Sequence, residues 1–184
     1  MTSEAMMNEL LRYDTPSISN VIATFPNQKT CLGLYNPWEG RWYTDETLRC
    51  MFPEHIRRRN GLLGGNMLTA YKKIGVCGIL TDGPSRDLEE IRPLGIQCMF
   101  TGLSPAHGPF SVQAVNVPVS ICGMDLCPGE IVHMDENGAV KFAENQLERI
   151  VANVALLSEN EERKKQAMLS AESVAELALA FQKK

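Results

Sequence analysis

The stretch Val76-Cys77-Gly78-Ile79-Leu80-Thr81-Asp82-Gly83-Pro84-Ser85-Arg86-Asp87 decides the fold. Its first six residues are a short, mostly apolar run, which predicts a buried strand. The Asp82-Gly83-Pro84 segment predicts a turn directly after that strand. Because α/β proteins bind their ligands at the carboxyl ends of such strands, we expect a functional site at this turn.

Helices and strands alternate on both sides of this stretch. Asn66–Ile74 has a helical pattern closed by Gly75, and Leu88–Leu94 predicts a second, shorter helix. Ile96–Thr101 is another apolar run and predicts a strand. Further along, Asn137-Gly138 is a strong hairpin signal. This alternation indicates an α/β fold.

Amphipathic helices are predicted near both ends of the chain. Thr15-Pro16 predicts an N-cap and a first helical residue, and apolar residues at helical spacing follow in Ile18–Phe25. The aromatic-rich segment 27–61 predicts an ordered loop, either a lid, a subunit contact or ordinary packing. The apolar stripes in Leu147–Leu157 and Val174–Phe181 suit either an oligomer contact or a tail packed on the domain.

Composition excludes several classes of function. The net charge of −4 argues against nucleic-acid binding, since no basic excess is present to neutralise phosphates. The six cysteines form no Cys-x-x-Cys pair, which argues against a zinc site, and Cys77 and Cys98 lie in apolar runs where a free thiol acts as a small hydrophobe. Met1–Leu11 lacks the apolar core of a signal peptide, and no run has membrane-spanning length. These features predict a cytoplasmic protein with no membrane contact.

Residues on either side of the predicted strand have the chemistry of an acid-binding site. The Gly64-Gly65-Asn66-Met67 segment feeds a helix, whose free N–H groups attract carboxylate or phosphate, although it also fits a plain turn capped by Asn66. Arg86 can hold a carboxylate through two hydrogen bonds, and Asp87 is an oxygen ligand suited to Mg²⁺ or Mn²⁺. Alternatively, Asp87 and Glu90 form a capping box and Arg86 pairs with a surface acid.

Four blocks of sequence occur in an order that suggests one family: Tyr13–Asn20, Gly75–Asp87, Val117–Met124 and Pro128–Gly138. Together they resemble the regulator of ribonuclease activity A-like family, which includes the 4-hydroxy-4-methyl-2-oxoglutarate aldolases. Many members have an old label, dimethylmenaquinone methyltransferase. The resemblance runs from about Tyr13 to Phe142. It implies a layered αββα fold of the swivelling-domain type, here with C-terminal amphipathic helices.

The resemblance also implies an activity, a metal and an assembly. The activity is metal-dependent cleavage of a 4-hydroxy-2-oxo diacid to pyruvate, with oxaloacetate decarboxylation as a possible second reaction. Asp87 would hold Mg²⁺ or Mn²⁺, Arg86 would bind the substrate and stabilise charge, and residues 64–67 would orient the keto acid. Gly65 cannot accept the proton of the 4-hydroxyl, so the candidate proton acceptors are Asp82, Glu130 or an acid from a neighbouring subunit. Family members form trimers or hexamers, and some act instead as non-catalytic regulators that bind a partner, which is the alternative function.

Two features depart from the family pattern. In family aldolases, twenty residues separate an acidic residue from the arginine that follows it. In this chain the position twenty intervening residues before Arg86 is Gly65. The family also has a βα unit of about fifty residues where this chain has only residues 54–63. Either a natural deletion has removed part of the sheet, or the sequence omits a segment of the real one, and we expect the second because losing central strands would expose neighbouring edges. The sequence predicts one α/β domain over residues 1–143 and a helical extension over 144–184.

Overall fold

The computed structural model describes residues 2–25, 29–30, 33–34, 48–51, 61–108, 111–121 and 123–182. The α-helices are α1 (Ser3–Leu10), α2 (Thr15–Ala23), α3 (Gly65–Lys73), α4 (Leu88–Ile91), α5 (Leu147–Leu169) and α6 (Val174–Gln182). The strands are β1 (Lys29–Thr30), β2 (Gly33–Leu34), β3 (Leu48–Met51), β4 (Gly78–Leu80), β5 (Gln97–Met99), β6 (Ser111–Val115), β7 (Val119–Ile121), β8 (Met124–Leu126), β9 (Glu130–Asp135) and β10 (Gly138–Ala143). Short 3₁₀ turns occupy Arg92–Leu94 and Glu144–Gln146. This mixture of helices and strands confirms the α/β class.

The chain divides into two compact units, one of residues 1–26 with 142–184 and one of residues 27–141. The prediction of a domain over 1–143 with an extension over 144–184 stays a prediction. Within the described ranges, none of the helices is long and apolar enough to span a bilayer.

The first unit is helical, and α1 and α2 both pack against α5. The predicted N-cap of α2 is off by one residue: Asp14 caps the helix through its Oδ1, which accepts the Ser17 N–H at 2.9 Å, and Thr15 is the first helical residue. A carboxylate is the better acceptor there because it also complements the helix dipole. The predicted buried face is confirmed, since Ile18, Val21 and Ile22 are all under 5% exposed.

The two C-terminal helices differ in what they bury. In α5, Leu147, Ile150 and Val154 face the interior, as their spacing predicts. In α6 the predicted stripe is exposed: Val174 is 85% and Phe181 69% accessible, and Ala180 is the buried residue instead. The helix itself packs against α5, so both the oligomer contact and the packed tail stay predictions for the exposed stripe.

The second unit places a parallel pair of strands between two apolar clusters. Strand β4 runs parallel to β5, with Ile79 opposite Cys98. Ile79 packs with Leu68 of α3 and Ile91 of α4, whereas Leu80 packs on the other side with residues of β7, β8 and β10. This alternation is the period-two pattern of a strand that is covered on both faces. The predicted strand is real but short, Gly78–Leu80 rather than Val76–Thr81.

The hairpin predicted at Asn137-Gly138 is present, because β9 and β10 are hydrogen-bonded neighbours joined by a two-residue turn. It contains an ion pair that the sequence analysis misses. Lys141 Nζ donates to both Glu130 carboxylate oxygens, at 3.0 and 2.9 Å, and the Lys141 side chain is 0% exposed. Glu130 Oε2 also accepts the Cys127 N–H at 2.7 Å. The partly buried Glu130 carboxylate is therefore held by one ammonium group and one backbone N–H.

The cysteines depart from expectation. Cys77 precedes β4 and is exposed, so it is not the buried small hydrophobe that its apolar neighbours predict. Cys98 lies in β5 and is partly buried, and this burial raises the pKa of its thiol. Cys127 is disulfide-bonded. Structural disulfides are rare in a reducing cytosol, so the cytoplasmic setting stays a prediction.

Other predictions fall largely on residues outside the described part of the chain. The aromatic segment 27–61 is described only at β1, β2, β3 and Gly61, and the three described stretches before Gly61 are short strands. The suspected missing segment, near residues 54–63, is described only from Gly61 onward.

Candidate active site at two glycines and an Arg-Asp pair

The backbone before Arg86 is fixed between two neighbouring segments. Ser85 bridges in parallel to Leu63 on one side and to Leu103 on the other. Its N–H donates to the Gly102 carbonyl at 2.9 Å and its hydroxyl to the Leu63 carbonyl at 3.1 Å, and the residue is fully buried. The Arg86 N–H then donates to the Leu63 carbonyl at 3.0 Å. These bonds bring Arg86 and Asp87 alongside the glycines that follow Leu63.

Asp87 adopts a left-handed backbone conformation, with φ 59° and ψ 42°. Aspartate tolerates this region better than most residues, but the conformation is still unusual and is frequent at functional sites. Its Oδ2 accepts the Gly65 N–H at 3.1 Å and the Arg86 Nε–H at 3.1 Å. Its side chain makes no capping bond to its own helix α4. The capping-box interpretation is therefore wrong, because Asp87 instead caps α3, a helix that begins 22 residues earlier.

Gly64 makes this contact possible. A Cβ on Gly64 would lie 2.7 Å from Asp87 Oδ2 and 3.2 Å from Arg86 Nε, which is too close for a side chain. With Gly64 as N-cap, α3 begins at Gly65, and the Gly64 carbonyl accepts the Leu68 N–H at 3.0 Å. The N–H groups of Asn66 and Met67 belong to the first turn, where a helix has no internal acceptors for them. An anion at this end of α3 would meet donors and the positive end of the helix dipole.

Arg86 keeps most of its hydrogen-bonding capacity available. Its Nε is bonded to Asp87, and the two side chains are 32% and 29% exposed. In the part of the chain that the structure describes, neither terminal guanidinium nitrogen has a hydrogen-bond partner. A guanidinium held at Nε with two free terminal nitrogens can bind a carboxylate through a pair of parallel hydrogen bonds.

The structure thus brings together Gly64, Gly65, Arg86 and Asp87, and the binding, catalytic and metal roles assigned to them stay predictions. Asp82 lies in the bend after β4, where its carbonyl accepts the Thr101 hydroxyl at 3.1 Å; its catalytic role stays a prediction. Glu130, another acid considered as a proton acceptor, is instead held by Lys141 and the Cys127 N–H.

One residue at the site is missed by sequence reasoning. Glu90 lies against Gly65: a Cβ there would be 2.8 Å from Glu90 Cβ and Cδ, and closer still to Oε2. The signal that finds it is the missing side chain at Gly65, which leaves space that another side chain fills. The Asp87-x-x-Glu90 spacing hides this contact, because it suggests a local cap.

The oxygen atoms at this site suit a hard cation that keeps most of its water ligands better than a metal ion enclosed by protein side chains. Among the described residues there is no group of three or more histidine, cysteine or acidic side chains that could enclose a metal. Asp87 Oδ2 is already bonded twice, which leaves Oδ1 to face a cation or its water shell. Mg²⁺ commonly keeps several waters and binds one or two carboxylates plus substrate oxygens. The residues present therefore fit Mg²⁺ or Mn²⁺ held mainly through water.

Comparison with known proteins agrees with this geometry. Residues 51–141 match the family model described as RraA-like, Aldolase/RraA. The chain carries an RraA-like domain. The resemblance drawn from the sequence blocks is thereby confirmed, and the RraA-like domain includes Gly64, Gly65, Arg86, Asp87 and Glu90.

A curated relative and two solved structures illustrate the likeness. The 4-hydroxy-4-methyl-2-oxoglutarate aldolase of Thermus thermophilus is 30% identical over 87 residues, covering 47% of this chain and 53% of that protein. An uncharacterized protein from Pseudomonas syringae superposes with a TM-score of 0.75 at 18% identity, covering 97% of this chain and 98% of that one. Streptomyces coelicolor RraAS2, described as an unusual member of the RNase ES inhibitor RraA family, superposes with a TM-score of 0.66 at 20% identity, over 88% and 97% of the two chains. The structural matches show the shared fold.

The chain spans about half the length of the curated relatives it matches, 51% and 53% in two cases. The activity of such relatives can therefore be transferred to this chain only as a proposal.

Proposed function

We propose that this chain is a divalent-metal-dependent lyase that cleaves a 4-hydroxy-2-oxo diacid to pyruvate and a second keto acid, and that it also decarboxylates oxaloacetate. The observation that carries the proposal is Arg86, which Asp87 fixes at Nε and whose two terminal nitrogens have no partner among the described residues. The aldolase name of the Thermus thermophilus relative supports it.

Both reactions create the same charge. Breaking a carbon–carbon bond next to a 2-oxo acid leaves the enolate of pyruvate, and positive charge fixed near the enolate oxygen lowers the barrier. Arg86 binds a substrate carboxylate and the developing charge through its free nitrogens. The first-turn N–H groups of Asn66 and Met67 orient an acid group at the start of α3.

Asp87 has two roles in this proposal. Its Oδ2 fixes Arg86 and the first turn of α3, while its Oδ1 would hold the cation through water. When bound, the divalent cation supplies positive charge that polarises the 2-oxo group.

The activity is tested by measuring pyruvate release from a 4-hydroxy-2-oxo diacid and from oxaloacetate, with Mg²⁺ or with chelator. We expect release only with the metal, and Arg86→Ala to lose about 3 kcal/mol of transition-state stabilisation, or roughly a hundredfold in rate. Arg86→Lys should restore little, because an ammonium cannot make the planar pair of bonds.

Arg92→Ala is the matched control, since Arg92 is an exposed arginine paired with Glu89. Equal losses in Arg86→Ala and Arg92→Ala would contradict the assigned role of Arg86. Wild-type protein that is inert towards both acids would reject the lyase proposal.

Metal binding is tested separately from activity. Titration calorimetry should show weak Mg²⁺ or Mn²⁺ binding by the wild-type protein and weaker binding by Asp87→Ala, with Glu89→Ala unchanged. Equal affinity in wild type and Asp87→Ala would reject Asp87 as the metal-facing residue.

The alternative function is a non-catalytic regulator that binds a partner. The feature favouring it is Gly65, which has no carboxylate where family aldolases have one. A chain that binds no Mg²⁺ and releases no pyruvate from either acid would support this alternative.

We also propose a homo-oligomer, a trimer or hexamer. Exposed apolar side chains on α5 and α6 supply surface for it, chiefly Leu156, Leu169, Val174, Leu179 and Phe181. Sedimentation should show a mass several times that of one chain. A monomer whose mass does not change with concentration would reject this assembly.

A further inference from the structure

Three charged side chains converge on two consecutive glycines. Gly64 lies against Asp87 and Arg86, and Gly65 lies against Glu90. In each case a Cβ would come within 3 Å of the acidic side chain, so each glycine leaves room for a carboxylate that comes from the segment after β4. Gly65 has helical geometry as the first residue of α3, so its value here is the space that it leaves and not a special φ.

Glu90 is free to act on a ligand. It is exposed on the first turn of α4, and its backbone N–H donates to the Asp87 carbonyl at 3.0 Å. Its carboxylate makes no hydrogen bond or ion pair within the described residues. The neighbouring Glu89, by contrast, is paired with Arg92 at 3.5 Å. Glu90 is therefore an available acceptor that lies against Gly65, the residue next to the glycine that Arg86 contacts.

We propose that Glu90 is the proton acceptor for the substrate hydroxyl in the cleavage reaction, an inference that rests on the proposed lyase function. The proton of the 4-hydroxyl passes to the Glu90 carboxylate, and the electron pair of the broken O–H bond becomes the second C4–O bond, which makes the carbonyl of the released keto acid. The C3–C4 bond breaks, and its electron pair enters the pyruvate enolate. A proton then returns to C3, which gives pyruvate and leaves the Glu90 carboxylate ionised again.

Glu90 is better placed than the other acids considered for this step. Glu130 is already hydrogen-bonded to Lys141 and to a backbone N–H. Asp82 lies in the bend after β4, where its carbonyl accepts the Thr101 hydroxyl, whereas the Glu90 carboxylate lies directly on Gly65. The carboxylate absent from position 65 is thus supplied across the site, from the first turn of α4.

This arrangement changes what a substitution at Gly65 should do. The sequence alone predicts that Gly65→Asp restores a missing carboxylate and raises activity. In the structure the new Cβ would overlap Glu90, and two carboxylates would compete for one place. The informative variant is therefore a double one that moves the carboxylate, Gly65→Asp with Glu90→Ser.

The main test uses two reactions that differ in one respect. Cleavage of a 4-hydroxy-2-oxo diacid requires removal of a hydroxyl proton, whereas decarboxylation of oxaloacetate does not, although both form the same enolate. Glu90→Gln preserves the shape of the side chain and removes its charge. We expect it to lower kcat for cleavage about a hundredfold or more. Decarboxylation, and calorimetric binding of oxalate with Mg²⁺, should stay within about threefold of wild type.

Glu89→Gln is the matched control and should retain both reactions. Wild-type cleavage rates in Glu90→Gln, or equal loss of both reactions, would overturn the assignment, as would Asp82→Asn showing the selective loss instead. A wild-type protein inert towards both acids would reject the lyase proposal itself, and with it this role of Glu90.

The second test moves the carboxylate. Glu90→Ser should lose cleavage, and adding Gly65→Asp should recover at least about tenfold of it, because the carboxylate then returns to the site from α3. Gly65→Asp alone should gain no activity and should lower the melting temperature. If Gly65→Asp alone raises cleavage, or if the double variant recovers none, Glu90 does not have the proposed role.

Discussion

Two ion pairs of the second unit, Lys141–Glu130 and Arg86–Asp87, use the same chemistry in opposite surroundings. Lys141 and Glu130 have side chains 0% and 10% exposed, and two N–O distances of 3.0 and 2.9 Å join them. Arg86 and Asp87 have side chains 32% and 29% exposed and are joined at 3.1 Å through Nε alone. In the first pair both oxygens of the carboxylate are engaged by the lysine. In the second, the Arg86 guanidinium keeps its two terminal nitrogens for a ligand.

This difference separates a structural pair from a functional one. Burying a charge carries a large desolvation cost, which is tolerated only when its hydrogen bonds are complete. A pair that is closed to solvent in this way is out of reach of a ligand. A partly exposed pair contributes little to stability, since water screens it, but its free groups can bind. The residues to examine for chemistry are therefore the incompletely bonded ones.

The largest expected effect is on stability, at the buried pair. Lys141→Met removes one partner and leaves the Glu130 carboxylate buried without it, which should cost about 3–5 kcal/mol of unfolding free energy. Arg86→Met at the exposed pair should cost less than about 1 kcal/mol. Urea denaturation under one redox condition measures both.

The double variant Lys141→Met/Glu130→Leu sharpens the test. It removes both charges, so it should recover part of the stability lost in Lys141→Met, less the cost of the unpaired Cys127 N–H. Equal losses of unfolding free energy in Lys141→Met and Arg86→Met would contradict the distinction between the buried and the exposed pair.

Much of the fold around the site could be predicted because its signals are local. The helix Gly65–Lys73 and the turn after β9 follow from apolar spacing and from glycines at the required places. The buried Lys141 could not be predicted so directly, because its partner Glu130 lies eleven residues away and the run around it reads as apolar strand.

The same limit applies to the candidate site. The sequence identifies Arg86 and Asp87, but the partner of Asp87 is the N–H of Gly65, 22 residues earlier. Spacing suggests a local cap with Glu90, and only the three-dimensional contact shows Glu90 lying on Gly65. Residues brought together by the bridges at Leu63, Ser85 and Leu103 leave no periodic trace in the sequence.

A medium effect is expected when the exposed pair is changed at its acid. Asp87→Ala removes the acceptor for the Gly65 N–H and places alanine in a left-handed conformation, which should together cost about 1–2 kcal/mol of unfolding free energy. Asp87→Asn keeps an acceptor oxygen and tolerates that conformation, so it should cost less. Thermal unfolding of the two variants measures the difference.

If Asp87→Asn were as destabilising as Asp87→Ala, the charge of Asp87 would be its main contribution to stability. The exposed pair would then resemble the buried one, contrary to the comparison drawn above.

The smallest expected effect concerns the two free thiols beside the parallel strands, which repeat the contrast between exposed and buried groups. Burial raises the pKa of the Cys98 thiol, and its Sγ lies 3.5 Å from the Ile96 carbonyl, whereas Cys77 is exposed. The thiolate is the reactive form, so a higher pKa means less thiolate at a given pH, by about tenfold per unit when the pH is well below the pKa.

Iodoacetamide should therefore modify Cys77 first at neutral pH, and the modification rate of Cys98 should approach that of Cys77 as the pH rises. Peptide mass spectrometry resolves the two sites, and Cys77→Ser isolates the reaction of Cys98. Equal modification rates of the two thiols at neutral pH would show that the partial burial of Cys98 does not govern its reactivity.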